Sequence, residues 1–148
     1  MPDTSLRLRR ATAVDALSDV ETLLAEHGLP SADVRSTPDA FYVAFEGSER
    51  VGVGGLEPHG TDGLLRSVVV EPSVRGEGYG GDLCAALEAR ACADGIDTLY
   101  LLTTTAADFF GARGYEPIDR ADAPPSIRST TQFADLCPTT ATCMRKQL

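Results

Sequence analysis

Lysine is almost missing: among 148 residues only Lys146 is lysine, against twelve arginines, thirteen aspartates and nine glutamates, for a net charge of -9. That balance leaves no basic patch of the kind that neutralises a phosphate backbone, so a nucleic-acid partner is excluded. An acid-rich, lysine-poor surface stays hydrated where salt screens charges within a few ångström. The composition therefore points to an extreme halophile's cytoplasm, the plainer reading being an ordinary acidic protein. Long apolar runs are also missing, and Met1 to Arg10 alternates charged and apolar residues. Neither a transmembrane span nor a signal peptide is expected, and the protein is read as cytoplasmic with no membrane partner. The four cysteines, Cys84, Cys92, Cys137 and Cys143, contain no CxxC pair and have no histidine at ligand spacing. No metal is expected, and the thiols read as reduced, mostly buried, small apolar side chains.

What is present fits one domain over residues 1–148, long enough to bury about two thirds of its unfolded surface without staples. Leu6 to Arg10 reads as a short strand, followed by a helix capped by Thr12, with Val14, Leu17, Val20 and Leu24 at helical spacing and Gly28 at its end. Leu29 to Asp39 reads as a loop with one short helix. Phe41–Phe45 and Val51–Leu56 form a hairpin across the turn residues Glu46 to Arg50. Leu64–Val70 is a nearly continuous apolar and β-branched run, expected as a central strand that stops at Glu71-Pro72. An alanine-rich helix closed by Gly95 follows, then the strand Thr98–Leu102 and a short helix capped by Thr105. That helix carries Phe109 and Phe110 and ends at Gly114 before the strand Tyr115–Ile118. Beyond a break at Pro124-Pro125 come a short helix over Thr131–Leu136 and a closing strand from Thr139 to Met144.

The chemistry concentrates in Val68-Val69-Val70-Glu71-Pro72-Ser73-Val74-Arg75-Gly76-Glu77-Gly78-Tyr79-Gly80-Gly81, a buried strand led through a glycine-rich turn into a helix N-terminus. Glycines there let several amide N–H groups point into one concavity, where the positive end of the helix adds its field, and a pyrophosphate fits. A tight strand-to-helix turn with no ligand has the same spacing. A GxxxxGK[ST] phosphate loop needs a lysine that is absent, and a dinucleotide fingerprint needs an early βαβ unit, which the mid-chain position denies.

Arg75-Gly76-Glu77-Gly78-Tyr79-Gly80 resembles the R/Q-x-x-G-x-G/A acyl-CoA loop of the GCN5-related N-acetyltransferase (GNAT) superfamily. The likeness extends to Leu65–Pro72, similar to that family's fourth strand, and to Ala107–Tyr115, similar to its last helix and following strand. Within the superfamily, Thr103–Phe110, Ile127–Thr130 and Phe133–Pro138 resemble acetyltransferases of arsenic-resistance operons and, less closely, N-acetylglutamate synthases. The resemblance implies an α/β (α+β) fold, with a mixed, twisted central sheet splayed between its fourth and fifth strands and helices on both faces. It implies acetyl-CoA as cosubstrate, with backbone groups of Val68 and Val70 pairing with pantetheine and the amides of Arg75, Gly76, Glu77, Gly78, Tyr79, Gly80 and Gly81 holding the pyrophosphate. One family feature is missing. Many members carry a tyrosine four residues before the glycine that ends the last helix, where its hydroxyl protonates the leaving thiolate; here that position is Phe110. Thr103 stands where an asparagine is common, so no catalytic residue is carried over.

Other polar residues bear on the acceptor. Arg66, in an otherwise apolar strand, must meet an anion, either on a substrate or on the protein, and Arg128 lies in the variable segment over the cleft that the resemblance implies. Both are candidate acceptor-binding residues. Glu57 could act as a base through water, yet a strand-end glutamate reads first as solvated. His59 could shuttle a proton, yet in a glycine-rich turn it reads as exposed and without a partner. Cys137 could line the acceptor pocket, yet reads as a structural thiol. Two function classes remain. One is an N-acetyltransferase acting on the primary amine of a small anionic molecule, an amino acid or an organoarsenical relative. The other is a catalytically silent acyl-CoA sensor. A second copy of the chain is a candidate partner.

Overall fold

The computed structural model describes residues 6–29, 31, 34–74, 76, 78–104, 106–130 and 141–148. Its strands are β1 (Arg7–Arg10), β2 (Phe41–Glu46), β3 (Glu49–His59), β4 (Asp62–Val70), β5 (Thr98–Thr103), β6 (Glu116–Ile118) and β7 (Thr142–Gln147), in the sheet order β1-β2-β3-β4-β5-β7-β6. The helices are α1 (Leu17–Glu26), α2 (Tyr79–Ala93), α3 (Ala107–Gly111) and α4 (Pro125–Arg128). The β4–β5 pair is parallel, whereas β1–β2, β2–β3, β5–β7 and β6–β7 are antiparallel, so the sheet is mixed as expected. No helix among the described residues is long and apolar enough to cross a membrane. The chain divides into two compact units: residues up to Leu56 with Ser67–Arg90, and Glu57–Arg66 with Ala91–Leu148.

In the first unit the period-2 alternation of strand side chains assigns the faces. Phe41, Val43, Val53 and Val69 pack with Val20, Leu23 and Leu24 of α1. On the other face Tyr42 and Ala44 stand opposite Gly54 and Gly52. A Cβ on Gly52 would lie 2.6 Å from the Val69 carbonyl oxygen and 3.0 Å from Leu83, and one on Gly54 would lie 2.5 Å from Leu87. Glycines two apart on β3 thus meet leucines four apart on α2, which is why the helix can lie directly on bare strand backbone. Helices cover both faces of this unit.

Helix α1 starts at Leu17 and has Ala16 at its N-cap, so Thr12 does not cap it. The chain turns first: Ala16 N–H donates to Ala11 O at 2.8 Å, Asp15 takes a left-handed φ of 54°, and the Thr12 hydroxyl faces Asp39 at 3.5 Å. The far end is as expected. Leu29 N–H reaches Leu24 O at 2.9 Å and Gly28 N–H reaches Ala25 O at 3.2 Å, a Schellman closure that requires the left-handed φ of 68° at Gly28. The loop before β2 holds two 3-10 turns, Val34–Ser36 and Pro38–Ala40, where one short helix is expected. The hairpin turn narrows to Gly47-Ser48 because both strands run on.

In the second unit β5 pairs along its whole length with β7, and in parallel with β4 over Asp62–Leu64. One face carries a core of Leu64, Tyr100, Leu102, Ala123, Ile127, Ala141 and Cys143. The Pro124-Pro125 break opens α4, since proline is suited to a first helical position and Ile127 then anchors the turn. Strand β7 starts at Thr142. The Thr105 cap, the Thr131–Leu136 helix, Cys137 and Thr139 lie outside the described residues. Cys84 and Cys143 are buried as expected, but Cys92 is exposed.

Candidate active site

In the first unit, β4 delivers the chain into the glycine loop. Ser67 holds a left-handed φ of 61° inside the strand, a conformation that costs a residue with a side chain about 1–2 kcal/mol. Val69 is buried in the core against α1, while Val68 and Val70 are half-buried. The strand exit is clamped: Glu71 N–H donates to Val51 O at 2.8 Å, and the Glu71 carboxylate accepts from Arg50 Nε at 2.9 Å. Arg50 also reaches Asp19 of α1 at 3.0 Å. Desolvation pulls the Arg50 pKa down, but the hydrogen bonds and charges of Asp19 and Glu71 outweigh it and leave it raised. Gly76 and Gly78 then take φ of 87° and 85°, with open space where a Cβ would stand, and α2 begins at Tyr79. Gly80 and Gly81 form its first turn. Arg75 and Glu77 lie outside the described residues. Left-handed glycines running into the N-terminus of a 15-residue helix are the backbone features that anion-binding loops use.

In the second unit, Arg66 finds its anion within the protein. Its side chain is wholly buried, and its guanidinium donates to Glu57 Oε2 at 3.1 Å. Glu57 is only 13% exposed, so it is not the solvated strand-end residue expected from sequence. Nor is His59 an exposed turn residue: it closes β3, half-buried, with Nε2 3.7 Å from Glu57 Oε1. Position-by-position reading missed this grouping. The signal was the hairpin itself, whose turn at Gly60-Thr61 folds β4 back along the end of β3.

Phe110 is buried and stacks edge-on with Phe109, ring centroids 5.2 Å apart, and with Tyr115 at 5.5 Å. No hydroxyl is available at that position. Ala106 N–H, at the start of α3, is held by Thr103 Oγ1 at 3.0 Å, which gives Thr103 a structural task. Arg128 is exposed at the end of α4, with its Nε donating to Ala123 O at 3.0 Å. Burial pushes the Cys143 thiol up to about 11, against the pull of Arg120 and Arg145, so near neutral pH it is a protonated, unreactive side chain.

A strand that exits through left-handed glycines into a helix, within a mixed sheet with one parallel pair, is the arrangement of acyl-CoA-dependent acetyltransferases. The family model for the acetyltransferase (GNAT) domain matches residues 37–117, more than half of the chain, and the chain belongs to that family. Amino-acid acetyltransferases are similar in sequence. That of Ectopseudomonas mendocina is 36% identical over 118 residues, 74% of this chain and 27% of its own length, and that of Pseudomonas syringae pv. syringae is 35% identical over 123 residues, 79% and 28%. The chain thus spans just over a quarter of these relatives. Among solved structures, N-acetylglutamate synthase from Neisseria gonorrhoeae, in complex with coenzyme A and N-acetyl-glutamate, superposes with a TM-score of 0.78. It does so at 18% identity, over 99% of this chain and 36% of the other. Rv2747 from Mycobacterium tuberculosis, in complex with CoA, superposes at 0.76 and 21% identity over 96% and 99% of the two chains.

Proposed function

We propose that this acetyltransferase moves the acetyl group of acetyl-CoA to the α-amino group of a small acidic amino acid of the glutamate type. What supports the reading is the similarity to amino-acid acetyltransferases over about 120 residues, which runs through the glycine loop. On this reading the backbone amides of Arg75 to Gly81 take the pyrophosphate, and the backbone at Val68 and Val70 receives pantetheine. In the reaction the neutral amine forms a C–N bond to the thioester carbonyl, the C–S bond breaks with its electron pair on sulfur, and the surplus N–H proton passes to that sulfur directly or through water, so CoA leaves as the thiol. A thiol-release assay over a panel of amines in molar KCl tests the reading, the salt following from the acidic, lysine-poor composition. The panel includes an organoarsenical amino acid, because Thr103–Phe110 and Ile127–Thr130 resemble the arsenic-resistance enzymes. Phe110 favours a second reading, a silent acyl-CoA sensor. A protein that binds acetyl-CoA yet releases no thiol above the blank with any amine is that sensor.

Arg128, exposed at the end of α4, takes the acceptor's anionic group, and Arg66 acts through the carboxylate it holds. A guanidinium fork suits carboxylate or arsonate-like oxygens. Arg128→Ala is therefore expected to raise the acceptor KM about tenfold, roughly 1.4 kcal/mol, with little change for acetyl-CoA. An unchanged KM removes Arg128 from the acceptor site.

Transfer proceeds without a dedicated side-chain acid, since Phe110 has no proton to donate. A thiol of pKa about 8.5 is a tolerable leaving group, and alignment of the amine with the thioester contributes several kcal/mol. The kcat profile is expected to rise with pH to a plateau and show no falling alkaline limb, and Phe110→Tyr to leave kcat within a few-fold or raise it. An alkaline limb that disappears when one residue is replaced overturns this and identifies the acid.

A further inference from the structure

Within the first unit, Glu71 is the residue between the end of β4 and the turn that leads into the glycine loop, and it is held at three points. Its N–H donates to Val51 O at 2.8 Å, its carbonyl accepts from Val74 N–H at 3.1 Å, and its carboxylate accepts from Arg50 Nε at 2.9 Å. Arg50 and Val51 are consecutive on β3, where the β2–β3 ladder skips a residue: Ala44 stands opposite Gly52, and Phe45 opposite Arg50. Val51 is thus the extra residue of a bulge, a device by which a strand re-aims a side chain. Asp19 of α1 holds the same guanidinium through Nη1 at 3.0 Å. The two contacts differ in shelter, since the Glu71 side chain is 17% exposed and that of Asp19 58%, so the Glu71 contact is the firmer. Stability does not call for the arrangement, because ion pairs of an arginine this open to water add little. Beyond Glu71, Pro72 sets its own φ and Val74 is buried. A Cβ at Gly76 or Gly78, in contrast, would meet nothing within 4 Å. At those two positions the loop is not packed, and its placement is set from its ends, the turn at Glu71 to Val74 and the first turn of α2.

We propose that Arg50 is a positioning residue for acetyl-CoA: by holding Glu71 it fixes where the glycine loop starts, so that the loop amides are in place before the pyrophosphate arrives. This rests on the reading that the loop takes the pyrophosphate. The guanidinium is committed to Glu71 and Asp19 and acts through them, not on the ligand. Without the clamp the start of the loop samples other orientations, acetyl-CoA has to select the right one, and the cost of that ordering appears as lost affinity. The sign of the effect separates positioning from a field acting through space. Arg50→Ala makes the region more negative, and Glu71→Ala makes it less negative by the same amount. A field on the pyrophosphate would weaken binding in the first and tighten it in the second. Loss of a shared clamp weakens binding in both.

The test is calorimetric titration of acetyl-CoA into wild-type protein, Arg50→Ala, Glu71→Ala, the double variant of the two and Arg50→Lys, with thermal unfolding of each protein without ligand. Both single alanine variants are expected to raise the acetyl-CoA Kd about five- to tenfold and the double variant to raise it no further, while Arg50→Lys, which can still donate to Glu71, stays within about twofold of wild type. Unfolding temperatures without ligand are expected to stay within about 4 °C of wild type. Opposite shifts in Kd for Arg50→Ala and Glu71→Ala show a field effect and overturn the proposal. So do losses that add in the double variant, and so does wild-type affinity in either single variant. Weaker binding accompanied by a large drop in unfolding temperature gives Arg50 a general structural role and overturns it as well. Gly76→Ala with Gly78→Ala is titrated alongside: wild-type affinity there refutes the loop reading itself, a different result from glycine variants that bind weakly beside Arg50 variants that bind normally.

Discussion

Arg66→Ala is expected to lower the free energy of unfolding by about 3–5 kcal/mol, the loss typical when one member of a buried ion pair is removed. The Arg66 side chain has no exposure and the Glu57 side chain 13%, so water cannot take over the vacated hydrogen bonds at the carboxylate. The substitution leaves an uncompensated charge beside a cavity the size of a guanidinium. The double variant Arg66→Met with Glu57→Leu removes both charges and keeps apolar volume, and is expected to recover most of that stability. Urea unfolding of the three proteins measures the difference. A single variant within 1 kcal/mol of wild type would mean that water reaches Glu57 once the guanidinium is gone.

The same pair shows where sequence reading stopped. That Arg66 needs an anion was legible, because a guanidinium in an apolar strand has few ways to be satisfied. Which anion was not, since Glu57 and Arg66 are nine residues apart and only the register of the β3–β4 hairpin brings them together. Judged singly, Glu57 looked solvated and His59 idle. The strands themselves were legible from alternation and from the runs of β-branched residues, and the glycine loop from its spacing. The left-handed backbone at Ser67 left no trace, because serine is not a residue whose presence signals that conformation. The start of α1 was misplaced for a related reason: Thr12 has the chemistry of a cap, but Ala11 is fixed by its bond to Phe41 O at 2.9 Å, and the turn that follows delays the helix to Leu17. In each case a contact distant in sequence overrode a local preference.

The glycine loop allows a test of backbone geometry without side-chain contact. Gly76 and Gly78 both have strongly positive φ, and a Cβ at either would meet nothing within 4 Å, so alanine there cannot clash or disturb the core. What alanine adds is the cost of the left-handed region, roughly 1–2 kcal/mol per residue. With no ligand the loop escapes that cost by relaxing to negative φ, which turns the amides out of the concavity. Acetyl-CoA must then restore the original backbone, and the cost appears as lost affinity. Each single variant is expected to raise the acetyl-CoA Kd about five- to thirtyfold, and Gly76→Ala with Gly78→Ala together by about 30- to 1000-fold, while thermal unfolding without ligand stays near wild type or rises slightly. Calorimetric titration with acetyl-CoA and with dephosphorylated pantetheine separates the contributions. Pantetheine lacks the pyrophosphate, so its weaker binding should be the same in all three variants and wild type. A double variant that binds acetyl-CoA as tightly as wild type would show that the pyrophosphate is not held by these amides.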